Sequence, residues 1–351
     1  MPKKIRSCFI ERLTFEKMLE AHYRAKKNKK YKKEVIKFEL NLENNIINLI
    51  NTIKNNKYHL GNYRSFIIRE PKVRDIKALP YVDRIVHQWY VEEFIKPYII
   101  PRFINTSCAC IDGRGTHFAS DTLQKYMRIF KRNHNDFWIL KCDISKFFYN
   151  INLDILFSII SRNIEDKKLL EFSKLLIYEK GNENNVGIPI GNYTSQFFAN
   201  IYLNELDQYL KHTLKVKYYV RYMDDFVMLA NTKEDCKLLK YKIEVFCNEK
   251  LGLKLNNKSQ YYPYQFGVDF CGYRIWTTHK LLRKDSKTKI KRKIKKWNSL
   301  WKNHKINLDK TSQSLNSWFG HARHCNSYNL TQSIIKKCDF LYTNYTDNQN
   351  L

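Results

Sequence analysis

Three aspartates carry the chemistry open to this sequence. Asp224 and Asp225 stand side by side in Tyr222-Met223-Asp224-Asp225, at the centre of Tyr218–Ala230, and Asp143 ends the apolar run Phe137–Cys142. Tyr218 to Val220 before the acidic pair, and Phe226 to Leu229 after it, are aromatic, β-branched or apolar. That is the composition of two strands joined by a tight turn, with the acids at the tip of a hairpin. Neighbouring carboxylates repel each other unless a cation lies between them, and Mg²⁺ takes carboxylates together with phosphate oxygens and water. Asp is also a common turn former and helix cap. Two features favour chemistry over those plainer roles. A third carboxylate ends a second buried strand. An aromatic pair, Phe147-Phe148, follows it four and five residues later, where a ring could sit beside a ribose.

Other stretches could hold phosphates. Ser65–Arg69 reads as a strand, Glu70-Pro71 as a turn and Val73–Ala78 as the returning strand, with Arg69, Lys72 and Arg74 around the turn. Such a hairpin can close over a triphosphate and neutralise its charge; the plain alternative is an exposed basic hairpin. Gly187–Gly191 is a loop whose Gly and Pro let the backbone approach a ligand. Leu251, Leu253 and Leu255 alternate as a strand would, and Lys258 comes just after them. From Lys280 a basic helix is expected. Ile290, Ile294, Trp297 and Trp301 form its apolar stripe, and the opposite face, with Lys291, Arg292 and Lys295, suits a nucleic-acid backbone.

The remaining elements must position these groups. Helices are expected over 11–33 and 34–56, the second with a stripe at Phe38, Leu42, Ile46, Leu49 and Ile53. Further helices are expected over 83–94, 118–131, 154–180, 195–210 and 234–250, with two shorter ones in 311–338. A polar turn is expected at 182–185, and a strand pair over 266–276 with Gly272 allowing close packing. The divisions are 1–60, 61–276 and 277–351. With 351 residues, 43% hydrophobic and 15% aromatic, the chain has material for a sizeable core. A formal charge of +29 calls for an anionic partner, nucleic acid before a membrane surface. No apolar run approaches the roughly 20 residues of a spanning helix, and the start MPKKIRSCF lacks a signal peptide's apolar stretch. The expectation is a cytoplasmic protein. Nine cysteines, with Cys108 and Cys110 the one close pair, read as buried free thiols rather than a zinc site.

Asp143, the Gly187–Gly191 loop and Tyr222–Asp225, in that order and spacing, make the chain resemble a reverse transcriptase over about residues 60–276. Within that superfamily the likeness is greatest to the enzymes of diversity-generating retroelements, then to group II intron enzymes. Group II proteins typically read Gln-Gly, then Ser-Pro some residues on. Here the loop reads Ile190-Gly191-Asn192-Tyr193-Thr194-Ser195-Gln196. REPKVRDIKALPYVDRIVH, SQFFANIYLNELDQYL and the short length point the same way. No RNase H domain, maturase extension or Cys/His-rich endonuclease tail is read.

The resemblance implies an α+β, right-hand polymerase fold. An N-terminal basic helical extension (1–60) precedes fingers and palm of antiparallel sheet and helices (61–276), then a helical basic thumb (277–351). It implies two Mg²⁺ ions roughly 3.5–4 Å apart on Asp143 and Asp224, with Mn²⁺ able to substitute, Asp225 supporting and the Ile144 backbone contributing. Phe148 would exclude a 2′-hydroxyl. Arg69, Lys72 and above all Arg74 would clamp the triphosphate, with Ile190, Gly191 and Gln196 lining the nucleotide pocket and Lys258 near the pyrophosphate. Ile190 stands where the wider superfamily has a Gln that contacts the nucleotide, so discrimination there falls to packing, which separates substrates less well than matched polar contacts. The resemblance further implies misincorporation opposite template adenines and mutagenic diversification of a target gene. The implied partners are a template RNA, the RNA/cDNA duplex, dNTPs and a small, basic, oligomeric accessory variability protein. Its source would be bacterial, archaeal or phage. The alternatives are a group II-like, retron or defence-associated reverse transcriptase, or an RNA-binding scaffold with a vestigial site.

Overall fold

The computed structural model describes residues 4–69, 73–178 and 184–341. Three helices come first: α1 (Phe15–Ala25), α2 (Lys33–Glu39) and α3 (Leu42–Lys54). Thr14 caps α1 by accepting the Lys17 N–H. The single helix expected over 34–56 is broken between α2 and α3. Asn41 leaves helical geometry at φ −138°, ψ 52°, and the preceding Leu40, 82% exposed, has no core to join. Next come strands β1 (Arg64–Ile68) and β2 (Arg74–Ala78), an antiparallel hairpin in register from Arg64↔Ala78 to Ile68↔Arg74. The expected turn at Glu70-Pro71, and Lys72 with it, lies outside the described residues. Helix α4 (Tyr81–Tyr90) runs through a π-helical turn into α5 (Lys96–Tyr98).

Helix α6 (Thr116–Asn133) precedes β3 (Trp138–Asp143), after which come α7 (Phe147–Asn150), α8 (Leu153–Ser161), α9 (Lys167–Tyr178) and α10 (Tyr193–Gln208). Half of the polar turn expected at 182–185 is outside the described residues, which resume at Asn184. Strands β4 (Tyr219–Tyr222) and β5 (Asp225–Ala230) form the expected acidic hairpin, and α11 (Lys233–Leu251) is next. The chain continues with β6 (Gln260–Pro263), β7 (Val268–Phe270), β8 (Tyr273–Ile275) and β9 (Lys280–Leu282). Then come α12 (Lys284–Lys302), α13 (Leu308–Ala322) and α14 (Tyr328–Ile335). The expected α+β class is the observed one. Among the described residues, no helix is long and apolar enough to cross a membrane.

Two compact units interleave along the chain. The first takes residues 1–113, 142–217 and 238–259; the second takes 114–141, 218–237 and 260–351. In the first, the rings of Phe9, Trp89, Phe94 and Phe172 pack together, with Trp89 fully buried and donating from Nε1 to the Arg12 carbonyl. Cys8 and Phe9 N–H groups donate to Asp166 Oδ2, which ties the N-terminal segment to this core. Helix α10 is buried on most sides rather than amphipathic, and even its Asn200 and Asp207 are covered. The strand expected at Leu251–Leu255 is absent. Leu251 ends α11, Gly252 turns at φ +60°, and Leu255 makes a single bridge with Ile144. The alternation there reflects burial of Leu251 and Leu253 from a turning chain.

The second unit holds a sheet of order β4-β5-β3-β6, with β3 antiparallel to β6 from Trp138↔Pro263 to Lys141↔Gln260. A second sheet, β7-β8-β9, turns at Gly272 (φ +88°), where an added Cβ would lie 3.0 Å from His321 Nε2. The basic helix begins at Lys284, not Lys280. Lys280 instead starts β9 and is buried, its ammonium donating to Ser120 Oγ and ion-paired with Asp121 of α6. Helices α12–α14 enclose a core of Ile290, Ile294, Leu315, Ile334 and Phe340, with Trp297 and Trp301 against it. All nine cysteines are free and six are buried, as expected; burial pushes the Cys110 thiol up to about 11 and Cys247 up to about 12.

Four histidines are made harder to protonate by these cores. Burial lowers His22, His117 and His321 from the ordinary 6.5, with nearby positive charge or other imidazoles adding to it, and burial alone takes His87 to about 3. An unfolded chain takes up protons on these groups once the pH drops below about 6.5; the folded one takes them up only at lower pH. Their contribution to stability is therefore intact above that pH and is lost as the pH falls through the depressed values. The thermal unfolding midpoint should be lower at pH 5.0 than at pH 7.5 in ordinary buffers. His87→Leu should shrink that difference, even though it removes the Thr194 Oγ1 contact to His87 Nδ1 at 2.8 Å.

Candidate active site

The hairpin tip is built by a two-residue turn. Tyr222 pairs with Asp225, leaving Met223 and Asp224 to reverse the chain. Met223 sits at φ +55°, the left-handed region that costs a non-glycine residue energy and persists only where its surroundings enforce it. Part of that enforcement is Arg221. It is fully buried, and its Nη1 donates to the Met223 carbonyl at 3.1 Å. Asp224 projects from the turn half-buried. Asp225 is turned to a different partner: its Oδ2 lies 3.2 Å from Lys141 Nζ, and Lys141 also donates to the Asp269 carbonyl. Burial, with the charges of Asp269 and Asp225 adding to it, pushes the Tyr262 hydroxyl of β6 up.

Asp143 closes β3, two residues beyond Lys141 and on the same face of the strand. Its carboxylate Oδ2 accepts from Asn256 Nδ2 at 3.0 Å. Its backbone is held too: its carbonyl accepts from Asn256 N–H at 2.7 Å and its N–H donates to Ser259 Oγ at 3.2 Å. The bridge between Ile144 and Leu255 uses the Asp143 carbonyl and the Ser145 N–H, so the Ile144 carbonyl stands outside those two bonds. Lys146, at φ +45°, then bends the chain into α7. That bend buries Phe147 at 2% exposure and leaves Phe148 half-buried, the more accessible ring of the pair.

In the first unit, main-chain bonds join three of the segments expected to line a nucleotide pocket. Ile188 N–H donates to the Phe148 carbonyl at 2.8 Å, which ties the Gly187–Gly191 loop to the segment after β3. The Lys77 N–H of β2 donates to the Ile190 carbonyl at 2.8 Å, which ties the loop to the basic hairpin. Gly191, at φ +132°, allows this: an added Cβ would lie 2.6 Å from the Lys77 carbonyl. Ile190 is half-buried, Arg69 and Arg74 are exposed at the turn end of the hairpin, and Lys72 is not described. Gln196 is exposed, its Oε1 accepting from Cys110 Sγ at 3.3 Å. Lys258 is exposed on the loop that holds Asp143. Lys291, Arg292 and Lys295 point outward from α12 while Ile290 and Ile294 point in.

Three contributors were not anticipated from sequence: Asn256, Arg221 and Lys141. Each acts through a contact that only the fold creates, although Arg221, a cation in an otherwise apolar strand, was a visible anomaly. Among the described residues no group of three or more His, Cys, Asp or Glu side chains is placed to hold a metal ion. The donors that are present are carboxylate and carbonyl oxygens: Asp143 with one oxygen pinned and the Ile144 carbonyl in the first unit, and Asp224 in the second. Oxygen donors of this kind suit hard divalent cations rather than zinc.

A family described as Reverse transcriptase (RNA-dependent DNA polymerase) matches residues 54–275. The chain belongs to the reverse transcriptase family. This reverse transcriptase is 22% identical over 287 residues to the group II intron-encoded protein LtrA of Lactococcus lactis subsp. cremoris, covering 62% of this chain and 47% of that one. It is 24% identical over 204 residues to a putative COX1/OXI3 intron 2 protein of Saccharomyces cerevisiae, covering 40% and 24%. The chain thus spans a quarter to a half of these relatives. Among solved structures, a telomerase from Candida albicans in complex with a fragment of telomeric RNA aligns at TM-score 0.47 and 12% identity, covering 66% of this chain and 46% of that one. A Candida tropicalis telomerase aligns at 0.46 and 15%, covering 73% and 52%. Reverse transcriptases use divalent metal ions, in keeping with the oxygen donors here.

Gly191→Ala should separate the loop from β2. The substitution meets both a strained φ and a backbone oxygen, so a stability loss of about 2–4 kcal/mol is expected in urea unfolding. Gly113, at φ +74° with nothing within 4 Å of an added Cβ, is the comparator. Gly113→Ala should cost only the backbone strain, about 1–2 kcal/mol.

Proposed function

We propose that this chain is an RNA-directed DNA polymerase of the diversity-generating type, which copies a template RNA into cDNA carrying substitutions opposite adenines. The observation that carries the polymerase reading is the presentation of Asp143 and Asp224 by a buried strand and a strained hairpin tip within a reverse transcriptase domain. The loop supports the finer reading. Ile190 reaches β2 through its carbonyl, and its side chain has no group able to hydrogen-bond a nucleotide. A pocket that discriminates by packing alone separates substrates by roughly 10–200-fold, against far larger ratios for matched polar contacts.

Asp143, the Ile144 carbonyl and Asp224 would hold divalent ions, Mg²⁺ with Mn²⁺ as a substitute. Bound there, the ions supply a lowered pKa for the primer 3′-hydroxyl and charge neutralisation for the departing pyrophosphate. The chain's own residues do the rest. Lys141 draws Asp225 away from the tip and offsets one negative charge in the sheet. Phe148 would exclude a 2′-hydroxyl by its bulk. Arg74 and Arg69 meet the triphosphate, and Lys258 stands on the loop behind Asp143. The exposed face of α12 tracks the duplex phosphates. The +29 charge also suits an RNA lying between this chain and a basic accessory subunit.

A second reading, a group II intron-like enzyme without adenine bias, is favoured by the similarity to LtrA over 287 residues. Primer extension on an RNA template with dNTPs and Mg²⁺, followed by sequencing of the product, separates the two. Wild-type protein should make DNA with errors concentrated opposite adenine; errors spread evenly would favour the second reading, and no product would defeat both. Asp143→Asn and Asp224→Asn should each lower the rate by at least about 10²–10³-fold.

Two pocket substitutions test selectivity in the same assay. Phe148→Ala should raise ribonucleotide use relative to deoxynucleotide use by roughly 10–200-fold, as for other steric discriminations. Ile190→Gln should reduce errors opposite adenine more than errors elsewhere. An unchanged error spectrum would remove Ile190 from the selectivity account.

A further inference from the structure

Asp143 is gripped by a loop 113 residues further along the chain. Asn256 makes three of the contacts. Its Nδ2 donates to Asp143 Oδ2 at 3.0 Å, its N–H donates to the Asp143 carbonyl at 2.7 Å, and its Oδ1 accepts the Lys258 N–H at 3.0 Å. Ser259 adds hydrogen bonds to the Asp143 backbone, and its own N–H donates to the Asn256 carbonyl at 2.8 Å. The carboxamide has only one orientation that satisfies these partners. A carboxylate accepts only, so the NH₂ must face Asp143; a backbone N–H donates only, so the oxygen must face Lys258.

We propose that Asn256 is a positioning residue for polymerisation. It fixes the rotation of the Asp143 carboxylate, so that Oδ1 is presented to a divalent ion. The proposal rests on the reading of Asp143 as a metal-binding carboxylate. An unrestrained aspartate turns about its terminal bond in a broad, two-fold well. A cation binding to it must freeze that motion; a carboxamide already bonded to one oxygen has frozen it beforehand. Ser259 restrains only the backbone of Asp143, so it cannot do this. Groups that orient ligands from behind in this way typically change metal affinity or activity by about 10–100-fold when removed.

The test uses the full chain with Asn256→Ala and Asn256→Leu, the second close to isosteric. Thermal melting first identifies which variants keep the wild-type fold. Mn²⁺ binding is then read by electron paramagnetic resonance of the free ion, which requires no catalysis. Primer extension over a Mg²⁺ titration gives kcat and the KM for dNTP. We expect Mn²⁺ affinity to fall about ten-fold or more. The Mg²⁺ concentration for half-maximal rate should rise by a similar factor and kcat should fall. The KM for dNTP at saturating Mg²⁺ should stay within about two-fold, because Asn256 acts through the ion and not on the nucleotide pocket. A folded variant with wild-type Mn²⁺ affinity and Mg²⁺ dependence overturns the proposal. Loss of folding in both variants also overturns it, since Asn256 would then be a structural residue. Neither result touches the polymerase reading, which fails only if the wild type makes no DNA or if Asp143→Asn is as active as wild type.

Discussion

Adjacent carboxylates at the end of a sheet repel one another, and the second unit answers with a built-in cation. Lys141 stands on β3 two residues before Asp143 and reaches Asp225 on β5, the next strand of the sheet. A half-buried ion pair of this kind adds little to net stability, because both groups give up water to form it. Its value is in arrangement. It settles which of the two adjacent acids turns inward and which stays at the tip. Asp225 is the one that turns inward, and Asp224 is left on a turn whose left-handed Met223 is braced by a buried guanidinium. A tip under backbone strain and braced from below holds its main chain in one place, which fixes where the Asp224 side chain starts from.

Much of this arrangement was legible in the chain. The acidic hairpin could be read because two short apolar arms around a polar pair have few other ways to bury themselves. The split between Phe147 and Phe148 was not legible from their types. It is set by Lys146, whose left-handed backbone decides which ring meets the core. Leu251, Leu253 and Leu255 misled for a related reason: burial with period two is what a strand shows, but a helix end with a glycine turn after it can produce the same pattern. Lys280 looked like the first cation of a basic helix. It is a buried strand residue whose acid partner lies 159 residues away, and no local pattern reports such a distance.

Asn256 belongs to the same class of the illegible. In Leu255-Asn256-Asn257-Lys258 it reads as an ordinary turn residue, and its neighbour Lys258 attracts attention by charge. The contact that gives Asn256 its role is made with a residue in another part of the sequence. Local propensity specifies elements, whereas a hydrogen bond between distant loops is specified only by the finished packing. Sequence therefore reveals groups that react more readily than groups that hold them.

Around the loop proposed to meet the nucleotide, backbone rather than side chains makes the joints. The loop at Gly187–Gly191 is fastened to the Phe148 carbonyl at one end and to Lys77 at the other, and both bonds are between main-chain atoms. Position 190 contributes its carbonyl to that frame whatever its side chain, so the side chain there can change without loosening the loop. Gly191 has no such freedom, because the Lys77 carbonyl occupies the space a Cβ would need. A frame fixed in its backbone, with one side chain free to vary, lets selectivity drift while the catalytic geometry stays constant. An isoleucine at 190 leaves that frame intact, and if the loop meets the nucleotide as proposed, the tightness of base selection would be a property of one side chain rather than of the fold.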